Sequence, residues 1–398
     1  MRYMVTGGAG FIGSNYVKNI VGKGDEVLVL DALTYAGNLG NLSPHLHEEN
    51  IVVCSDRRYL TEVTVEEDQI HFDIDPCAES EPIKNKLVGQ GFVKTASEGL
   101  ENKIDEVFNE NAIVFVHGDI GDTKIVGAAI QDVDVVVNFA AETHVDRSIL
   151  EPDKFIKTDV HGTFNLLECA RKAPNLKKFV HISTDEVYGV AYGDTSFKET
   201  DSINPRNPYS ASKAAADRLV HAYNQTYGLP TNIIRPSNNF GPFQHPEKLI
   251  PKMISNALNG EALPIYGDGS QIRDWLFVKD TAAAVELVVR NGKVGEVYNV
   301  AGNNERTNMT VVTSILEHLG KDISLIKHVK DRPGHDIRYS VDDSKIRDEL
   351  GFSNADSFEN YLKNTVEWYV DNKAWWSSIL ENDAEFKRFN EAWYKDRS

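Results

Sequence analysis

A glycine-rich turn near the start of the chain constrains the fold more than any other feature. An apolar segment, 3–5, precedes the turn, and a segment with helical apolar spacing follows it. The turn supplies Gly7, Gly10 and Gly13, which let the backbone bend tightly against a helix N-terminus. A second apolar segment, 26–31, reads as another strand. A strand, a glycine turn, a helix and a second strand in this order predict a doubly wound parallel α/β sheet.

The same segment has the features of a dinucleotide site. Backbone N–H groups of a glycine turn at a helix N-terminus bind pyrophosphate, and Phe11 and Ile12 begin that helix. Asp31 ends the second strand, where a carboxylate accepts hydrogen bonds from both ribose hydroxyls and repels a 2′-phosphate. A glycine turn alone often holds no ligand, but this ordered series predicts an NAD site rather than an NADP site.

Two later strands extend the predicted sheet toward the two halves of NAD. The segment 113–120 ends in Asp119 and Ile120, and we expect the aspartate near adenine. The segment 133–141 ends in Ala140 and Ala141, whose small side chains leave room for the nicotinamide half at the strand ends.

Composition limits the partners and the compartment. The net charge of −18 disfavours nucleic acid and anionic lipid as partners, so an anionic substrate needs a local basic pocket. The three cysteines are far apart and form no C-x-x-C pair, which predicts neither a disulfide framework nor a metal site. The sequence has no apolar run of membrane-spanning length and no secretory signal. We expect a cytoplasmic protein with two domains, since 398 residues exceed one typical domain.

A polar cluster follows the buried segment 178–182. It consists of Ser183, Thr184, Asp185 and Glu186. Parallel sheets place ligands beyond the carboxyl ends of their strands, so the cluster lies where chemistry is expected. On its own, such a cluster is also typical of a polar turn or a helix N-cap.

Tyr209 and Lys213 lie one helical turn apart and therefore share a helix face. A lysine ammonium beside a phenol favours the phenolate and lowers its pKa. Such a phenolate takes a proton from a sugar hydroxyl while hydride leaves the same carbon. The spacing is common on surface helices, but after a glycine turn and a strand ending in Ser-Thr it predicts a catalytic pair.

Together these motifs resemble the extended short-chain dehydrogenase/reductases. The similarity rests on Gly7-Gly8-Ala9-Gly10-Phe11-Ile12-Gly13, Ser183-Thr184, and Tyr209 with Lys213. Within that family the chain resembles the dTDP-glucose 4,6-dehydratases, through Asp31-Ala32-Leu33-Thr34, Ala141-Glu142-Thr143-His144, Thr184-Asp185-Glu186-Val187-Tyr188-Gly189, Asn238-Asn239-Phe240-Gly241-Pro242, Arg273-Asp274-Trp275 and Arg332-Pro333-Gly334-His335-Asp336. The resemblance covers nearly the whole chain apart from an early insertion.

This resemblance implies a Rossmann-type doubly wound parallel sheet with a smaller C-terminal α/β substrate domain. Residues 1–236 would form the NAD-binding domain, with an atypical insertion at about 47–110. Residues 237–398 would bind the nucleotide sugar, with about 275–300 returning to the first domain. Leu33 and Thr34 would join the NAD site.

The resemblance also implies a reaction, the dehydration of dTDP-glucose to dTDP-4-keto-6-deoxyglucose with NAD regenerated. Tyr209 would deprotonate the C4 hydroxyl, with Thr184 bonded near O4. Glu186 would remove the C5 proton, and Asp185 would protonate the departing O6, before hydride returns to C6. Adjacent carboxyls serve opposite roles only when their environments separate their pKa values, so Asp185 must be protonated near neutral pH.

The substrate would lie against residues from the second half of the chain. The residues that the resemblance places there are His144, Asn238, Lys248, Leu249, Pro264, Tyr266, Arg273, Asn308, Arg332 and His335. Arginine forks bind phosphate oxygens in pairs, so Arg273 and Arg332 suit a diphosphate, and Tyr266 suits the face of a pyrimidine. UDP-glucose remains an alternative substrate, since 4,6-dehydratases of that sugar share the Thr-Asp-Glu motif.

Two further alternatives come from other classes of function. A nucleotide-sugar C4-epimerase needs Tyr209 and Lys213 but no carboxyl pair after Thr184. An NAD-binding regulatory protein needs the fold without the catalytic residues. The pair Asp185 and Glu186 argues against the first, and the intact Thr184, Tyr209 and Lys213 argue against the second.

The sequence departs from the family pattern at two places. Asp159 stands where the family has an asparagine, and an ionised carboxylate can only accept hydrogen bonds. The insertion alternates apolar residues over 61–74, which predicts a hairpin, and Leu100, Ile104 and Val107 predict a short helix. We favour a surface elaboration over an NAD lid or an oligomer contact.

The resemblance implies a homodimer through helices near 152–172 and 209–227, packed as a four-helix bundle.

Overall fold

The structure is a computed structural model that describes residues 1–21, 23–43, 45, 51–54, 60–66, 69–74, 93–95, 100–108, 112–382, 387–389 and 393. Its strands are β1 (Arg2–Thr6), β2 (Glu26–Asp31), β3 (Ile51–Cys54), β4 (Leu60–Glu66), β5 (Gln69–Ile74), β6 (Val93–Thr95), β7 (Ile113–His117), β8 (Val135–Asn138), β9 (Lys178–Ile182), β10 (Thr231–Pro236), β11 (Asn238–Phe240), β12 (Leu263–Tyr266), β13 (Ile272–Phe277), β14 (Val297–Val300), β15 (Glu305–Thr307) and β16 (Ile326–Val329). Its α-helices are α1 (Phe11–Ile20), α2 (Leu100–Phe108), α3 (Thr123–Ala129), α4 (Val145–Leu150), α5 (Pro152–Phe155), α6 (Thr163–Ala170), α7 (Pro208–Tyr227), α8 (Leu249–Asn259), α9 (Val278–Asn291), α10 (Asn308–Leu319), α11 (Ser344–Leu350), α12 (Phe358–Asp371) and α13 (Lys373–Asn382).

A parallel sheet forms the centre of the molecule. Its described strands run in the order β14-β10-β9-β8-β1-β2-β7-β3-β6. Strand β1 lies between β2 and β8, and the order reverses there, which is the topology of a doubly wound sheet. Strands β1, β2, β7 and β8 are buried almost throughout, as expected for strands covered by helices on both faces. The predicted Rossmann-type fold is confirmed.

Two apolar cores fill the faces of this sheet. Tyr16, Val29, Val285 and Tyr298 belong to the core that includes α1 and α9. The opposite core joins α2, α3, α6 and α7 to the sheet. Helix α9 and strand β14 therefore belong to the sheet layer although they lie late in the sequence. Among the described residues, no helix is long and apolar enough to cross a membrane.

A third core lies under the smaller sheets. Strand β13 pairs with β11 and β15, and β12 pairs with β16. Helices α8, α10, α12 and α13 contribute to this core, which includes Trp275 and Trp376. Trp368 and Trp375 pack against it with ring centroids 5.2 Å apart. These late tryptophans serve packing, as their helical spacing predicts.

The described parts of the insertion contain the predicted hairpin and the predicted helix. Strands β4 and β5 are antiparallel, with Val63 opposite Phe72, and α2 spans Leu100–Phe108. Strands β3 and β6 were not predicted. They extend the central sheet beyond β7. Residues 55–59, 67–68, 75–92 and 96–99 lie outside the described residues, and the role of the insertion stays a prediction.

Candidate active site

One continuous cavity lies at the carboxyl ends of the central strands and reaches the smaller sheets. The predicted site residues that line it are Gly7, Gly10, Phe11, Ile12, Gly13, Asp31, Thr34, Asp119, Ile120, Ala140, Ala141, His144, Thr184, Asp185, Glu186, Tyr209, Lys213, Asn238, Lys248, Leu249, Pro264, Tyr266, Arg273, Asn308, Arg332 and His335. The fold thus brings together residues from both halves of the sequence. Ligands of open α/β sheets bind at this edge.

The glycine turn leaves space that a side chain would fill. Gly7 has φ of +68°, and a Cβ there would lie 2.6 Å from the backbone nitrogen of Ala140. A Cβ at Gly13 would lie 2.3 Å from the carbonyl oxygen of Gly7. The turn therefore accepts only glycine at these positions, and it brings bare backbone to the N-terminus of α1. This geometry fits the pyrophosphate of a dinucleotide.

Asp31 lies at the end of β2 with its carboxylate held by backbone donors. Oδ2 accepts from the N–H of Ala9 at 2.9 Å and Oδ1 from the N–H of Leu33 at 2.8 Å. A carboxylate has further lone pairs, so Asp31 can still accept from ribose hydroxyls. Burial raises the pKa of Asp31, and the two N–H donors oppose that shift. The residues around the turn fit NAD.

Leu33 departs from its predicted place in the cofactor site. Its side chain is buried in the core beside α1 and does not line the cavity. Its backbone has φ of +50°, a conformation that few residues other than glycine adopt. The backbone N–H of Leu33 donates to Asp31, so Leu33 supports the predicted ribose site through its backbone and not through its side chain.

The polar cluster after β9 forms a short 3₁₀ turn, Asp185–Tyr188, with Thr184 as its N-cap. Thr184 Oγ1 accepts from the N–H of Glu186 at 3.3 Å and donates to Asp185 Oδ1 at 3.2 Å. The N-cap is thus Thr184, while Asp185 and Glu186 lie in the first turn. Both carboxyls of the turn nevertheless line the cavity, so capping does not exclude chemistry.

Asp185 lies in an environment that favours its protonated form. It is buried, and Oδ2 has no hydrogen-bond partner among the described residues. Burial and, next, the charge of Glu186 raise the pKa of Asp185 well above its usual value. This is the direction that the role of an acid near neutral pH requires.

Tyr209 and Lys213 lie on the first turns of α7, which Asn207 caps. Asn207 Oδ1 accepts from the N–H of Ser210 at 2.8 Å, and Ser210 Oγ accepts from the N–H of Asn207 at 3.3 Å. Lys213 Nζ donates to the carbonyl oxygen of Ile182 at 2.7 Å. This reciprocal cap fixes the start of the helix, and with it the two side chains that enter the cavity.

The electrostatics of Tyr209 differ from the prediction. Burial and, next, Glu186 raise the pKa of Tyr209 well above its usual value. Burial also lowers the pKa of Lys213. The carboxylates and the low dielectric outweigh the ammonium because the whole cluster is buried. The protein by itself holds Tyr209 as a neutral phenol, and a bound positive charge is needed to favour the phenolate.

Asp159 lies on a π-helical segment, Ile156–Gly162, and is buried. Its carboxylate accepts from the N–H of Glu142 at 2.8 Å and from Ser212 Oγ at 2.6 Å. Burial raises the pKa of Asp159 to about 6, opposed first by the charge of Lys213. Both partners of Asp159 are donors, so this network suits an acceptor and needs no proton on the carboxyl.

Basic and aromatic side chains line the far end of the cavity. Arg332 Nη1 donates to Asp146 Oδ1 at 3.0 Å, and Tyr266 donates to Asp146 Oδ2 at 2.8 Å. Arg332 Nε is buried without a hydrogen-bond partner among the described residues. Lys248 Nζ donates to the carbonyl oxygen of Thr143 at 2.6 Å. A cationic group with a donor to spare fits an anionic ligand.

Arg273 is held differently from Arg332. Nη1 donates to the carbonyl oxygen of Ile272 at 2.7 Å and Nη2 to that of Asp336 at 3.0 Å. Its guanidinium lies 4.3 Å from the ring centroid of Tyr339. Arg273 lines the cavity. Both of its terminal nitrogens, which were predicted to bind phosphate, already donate to backbone carbonyl groups.

Sequence reasoning missed two residues near the site. Tyr339 lies behind the cavity and donates to Glu186. Phe389 lines the cavity, with its ring centroid 5.3 Å from that of His144. Tyr339 follows the motif that ends at Asp336 by three residues, which is a weak signal. No pattern around Phe389 could have singled it out.

The comparisons with known proteins agree with this geometry. The sequence model described as GDP-mannose 4,6 dehydratase matches residues 86–365, and that of the NAD dependent epimerase/dehydratase family matches residues 3–72. The dTDP-glucose 4,6-dehydratase of Xanthomonas campestris pv. campestris (strain B100) is 43% identical over 97% of this chain and 98% of that protein. The chain belongs to the dTDP-glucose 4,6-dehydratase family. The enzyme of that name from Neisseria meningitidis serogroup B is also 43% identical, over 97% of this chain and 98% of its own length.

Solved structures of the dTDP-glucose 4,6-dehydratase family have the same fold. The enzyme from Streptomyces venezuelae, solved with NAD bound, is 39% identical with a TM-score of 0.77, covering 95% of this chain and 100% of that one. The enzyme from Bacillus anthracis, in complex with NAD, is 37% identical with a TM-score of 0.74, covering 95% of this chain and 99% of that one. NAD is accordingly the cofactor of the family, and the glycine turn of this chain fits it.

Proposed function

We propose that this protein is an NAD-dependent hydro-lyase that converts dTDP-glucose to dTDP-4-keto-6-deoxyglucose. The observation that carries the proposal is the pair Asp185 and Glu186, which lines the same cavity as Tyr209 and the glycine turn. Family membership supports it, since the relatives bear that name over nearly their full length.

The first step oxidises C4 of the sugar. The glycine turn and Asp31 would hold NAD, which would supply the acceptor for the C4 hydride and the donor for its return to C6. Tyr209 takes the proton of the C4 hydroxyl, and Thr184 bonds near O4. The phenol must first lose its own proton to solvent in order to act as a base, and bound NAD would supply the positive charge that favours this phenolate. Lys213 positions the nicotinamide ribose from the turn of α7 that follows Tyr209.

The second step removes water across C5 and C6. The C4 ketone acidifies the C5 proton, which Glu186 takes. The C6 hydroxyl leaves as water after Asp185 gives it a proton. The raised pKa of Asp185 supports this role, because a carboxyl must carry a proton in order to donate one. Glu186 then returns its proton to C5 as hydride reaches C6. Tyr209 releases the proton that it took from the C4 hydroxyl, and Asp185 regains one through solvent, so the three groups end with the charges with which they began.

The nucleotide end of the substrate is proposed to lie against the smaller sheets. Arg332 and Lys248 supply positive charge for the diphosphate, while Asn238 and Asn308 each keep a buried amide oxygen without a partner among the described residues. Tyr266 packs on the pyrimidine. Burial lowers the pKa of His335 to about 4, so it is neutral there and binds as a dipole.

The rival epimerase reaction is less consistent with the same site. An epimerase returns hydride to C4 and needs no acid at O6. Burying Asp185 with an unpaired oxygen is unfavourable unless a ligand or a reaction uses it. The dehydratase reaction gives that buried carboxyl a role, and the epimerase reaction does not.

The proposal is tested by incubating the purified protein with dTDP-glucose and, separately, with UDP-glucose, without added reductant. The alkaline absorbance of the 4-keto-6-deoxy product measures the reaction. We expect product from dTDP-glucose at a rate well above that from UDP-glucose. If only UDP-glucose gives product, the proposed substrate is wrong and the proposed reaction stands. If neither sugar gives product although the protein retains NAD, the proposed reaction is refuted.

The domain division and the compartment are further proposals. We propose that residues 1–236 bind NAD and residues 237–398 bind the nucleotide sugar, with about 275–300 returning to the first domain. The packing of α9 and β14 against the central sheet supports that return. We propose a cytoplasmic location.

We also propose a homodimer through α6 and α7 and the segments before α6. Large apolar side chains are exposed in these helices and in the segments before α6: Leu150 (49%), Ile156 (53%), Phe164 (41%) and Tyr227 (57%). Exposed apolar patches of this kind mark protein interfaces. A second copy of the chain would bury them in a bundle of two helices from each subunit.

Introducing charge on this face is expected to produce monomers. In Phe164→Glu, the proposed interface would bury one carboxylate from each subunit, which is costly. Sedimentation velocity should show the molecular mass of one chain instead of two. Val294→Glu is the control, because Val294 is exposed elsewhere (54%). Val294→Glu should remain a dimer. If Phe164→Glu also remains a dimer, this interface is contradicted.

A further inference from the structure

Tyr339 lies at the centre of a buried chain of three polar side chains. Its hydroxyl is 3.2 Å from Glu186 Oε2 and 2.6 Å from Asp336 Oδ2. Tyr339 and Asp336 are each 1% exposed. A phenol has one proton and can donate to only one of these carboxylates at a time. The arrangement therefore has two hydrogen-bonding states, one for each acceptor.

The surroundings hold the phenol in place between the two carboxylates. The guanidinium of Arg273 lies 4.3 Å from the ring centroid of Tyr339. Asp336 Oδ1 lies 3.0 Å from Arg206 Nη1, and its carbonyl oxygen accepts from Arg273 Nη2. Burial and, next, the charge of Glu186 raise the pKa of Tyr339, which favours the protonated, donating phenol near neutral pH.

We propose that Tyr339 is a positioning residue for the dehydration step. It donates to Glu186 while Glu186 is a carboxylate, and it turns its proton to Asp336 once Glu186 has taken the C5 proton. This inference rests on the proposed function. Tyr339 keeps its own proton throughout, and the proton from C5 stays on Glu186, so charge and proton count balance.

The two states explain why a second buried carboxyl lies so close to the base. A donor fixed on Oε2 orients Glu186 and leaves Oε1 to take the proton. Once Glu186 is protonated, a phenol that could only point at it would face a weaker acceptor. Asp336 is the alternative acceptor, so Tyr339 keeps a hydrogen bond to a carboxylate when Glu186 is protonated. The heavy atoms of all three groups are already in place, so the change of acceptor requires only rotation of the phenol proton.

Tyr339→Phe removes the hydroxyl and keeps the ring. We expect the rate of 4-keto-6-deoxy product formation to fall about tenfold to a hundredfold, as for loss of a hydrogen bond to a charged group. KM for dTDP-glucose should stay within about twofold, because Tyr339 does not line the cavity. Exchange of the C5 proton with deuterated solvent, followed by NMR, should slow by the same factor as product formation.

The pH profile provides a readout that a purely structural role would not change. A carboxylate that has lost a donor is protonated more easily. The acid limb of the dehydration rate should therefore move to higher pH in Tyr339→Phe. The matched control is Tyr361→Phe, which removes another buried phenol bonded to an aspartate, Asp280 at 2.9 Å, outside the cavity. It should leave the C5 exchange rate and the pH profile unchanged.

Each outcome bears on the inference. Tyr339→Phe with wild-type exchange and an unmoved acid limb would overturn it, and so would equal losses in Tyr339→Phe and Tyr361→Phe. If Tyr339→Phe does not fold, Asp336→Asn tests the same chain and should slow C5 exchange while C4 oxidation persists. Wild-type protein that makes no product from dTDP-glucose would instead refute the proposed function.

Discussion

Glu186→Gln is expected to lower the rate of dehydration by about a hundredfold or more while NAD stays bound and C4 oxidation continues. Glutamine has nearly the shape of glutamate but cannot take a proton. The glycine turn and Asp31 would hold the cofactor, and neither contacts Glu186 in the described structure. The loss should therefore fall on C5 deprotonation alone.

The measurement separates the two steps of the reaction. Reduced nicotinamide, followed by its near-ultraviolet absorbance after rapid mixing with dTDP-glucose, should form and persist in Glu186→Gln. C5 should not exchange with deuterated solvent, because the base is missing. Glu199→Gln is a suitable control, since that side chain is half-buried and accepts from the N–H of Asn299 outside the cavity. Full turnover by Glu186→Gln would contradict the assignment of the base.

Much of the fold was predictable because its signals are local. The glycine turn, the alternation in 61–74 and the helical spacing from Leu100 each specify an element within a few residues. Strands β3 and β6 could not be predicted in this way. They are only a few residues long, and they exist as sheet strands because β7 offers an open edge far away in sequence.

The site was predictable as a set of residues but not as an electrostatic environment. Residues at the carboxyl ends of parallel strands meet at one edge, so motifs far apart in sequence could be placed together. The pKa directions of Tyr209 and Asp159 depend on burial depth and on neighbours from other elements. Tyr339 reaches Glu186 from the far end of the sequence, and only the folded chain shows that contact.

Asp159 shows how a departure from a family pattern can be accommodated. From the sequence, if the family asparagine donates a hydrogen bond, Asp159 is either protonated or part of a different network. In the structure both of its partners donate, and Lys213 supplies a nearby positive charge. The substitution therefore preserves the network through its acceptor oxygens, and it adds a negative charge next to the catalytic helix.

Asp185→Asn is the second change with a large expected effect, about a hundredfold or more on product formation. Asparagine cannot give a proton to the departing O6, so elimination should stop after C5 deprotonation. Glu186 remains able to remove the C5 proton. The variant should therefore incorporate solvent deuterium at C5 of the oxidised sugar, where Glu186→Gln should not.

Stability and pH separate this loss of an acid from a loss of folding. Because burial and Glu186 raise the pKa of Asp185, its carboxyl favours the folded state below its unfolded pKa, and that contribution is lost as the pH rises through the folded pKa. Asparagine stays neutral at every pH, so the melting temperature of the variant at neutral and alkaline pH should not fall below that of the wild type.

In the wild type, dehydration should decline at high pH as Asp185 loses its proton. An Asp185→Asn variant that dehydrates dTDP-glucose at the wild-type rate would assign the acid to another group, whereas one without C5 exchange would show that the two carboxyls act as a single unit.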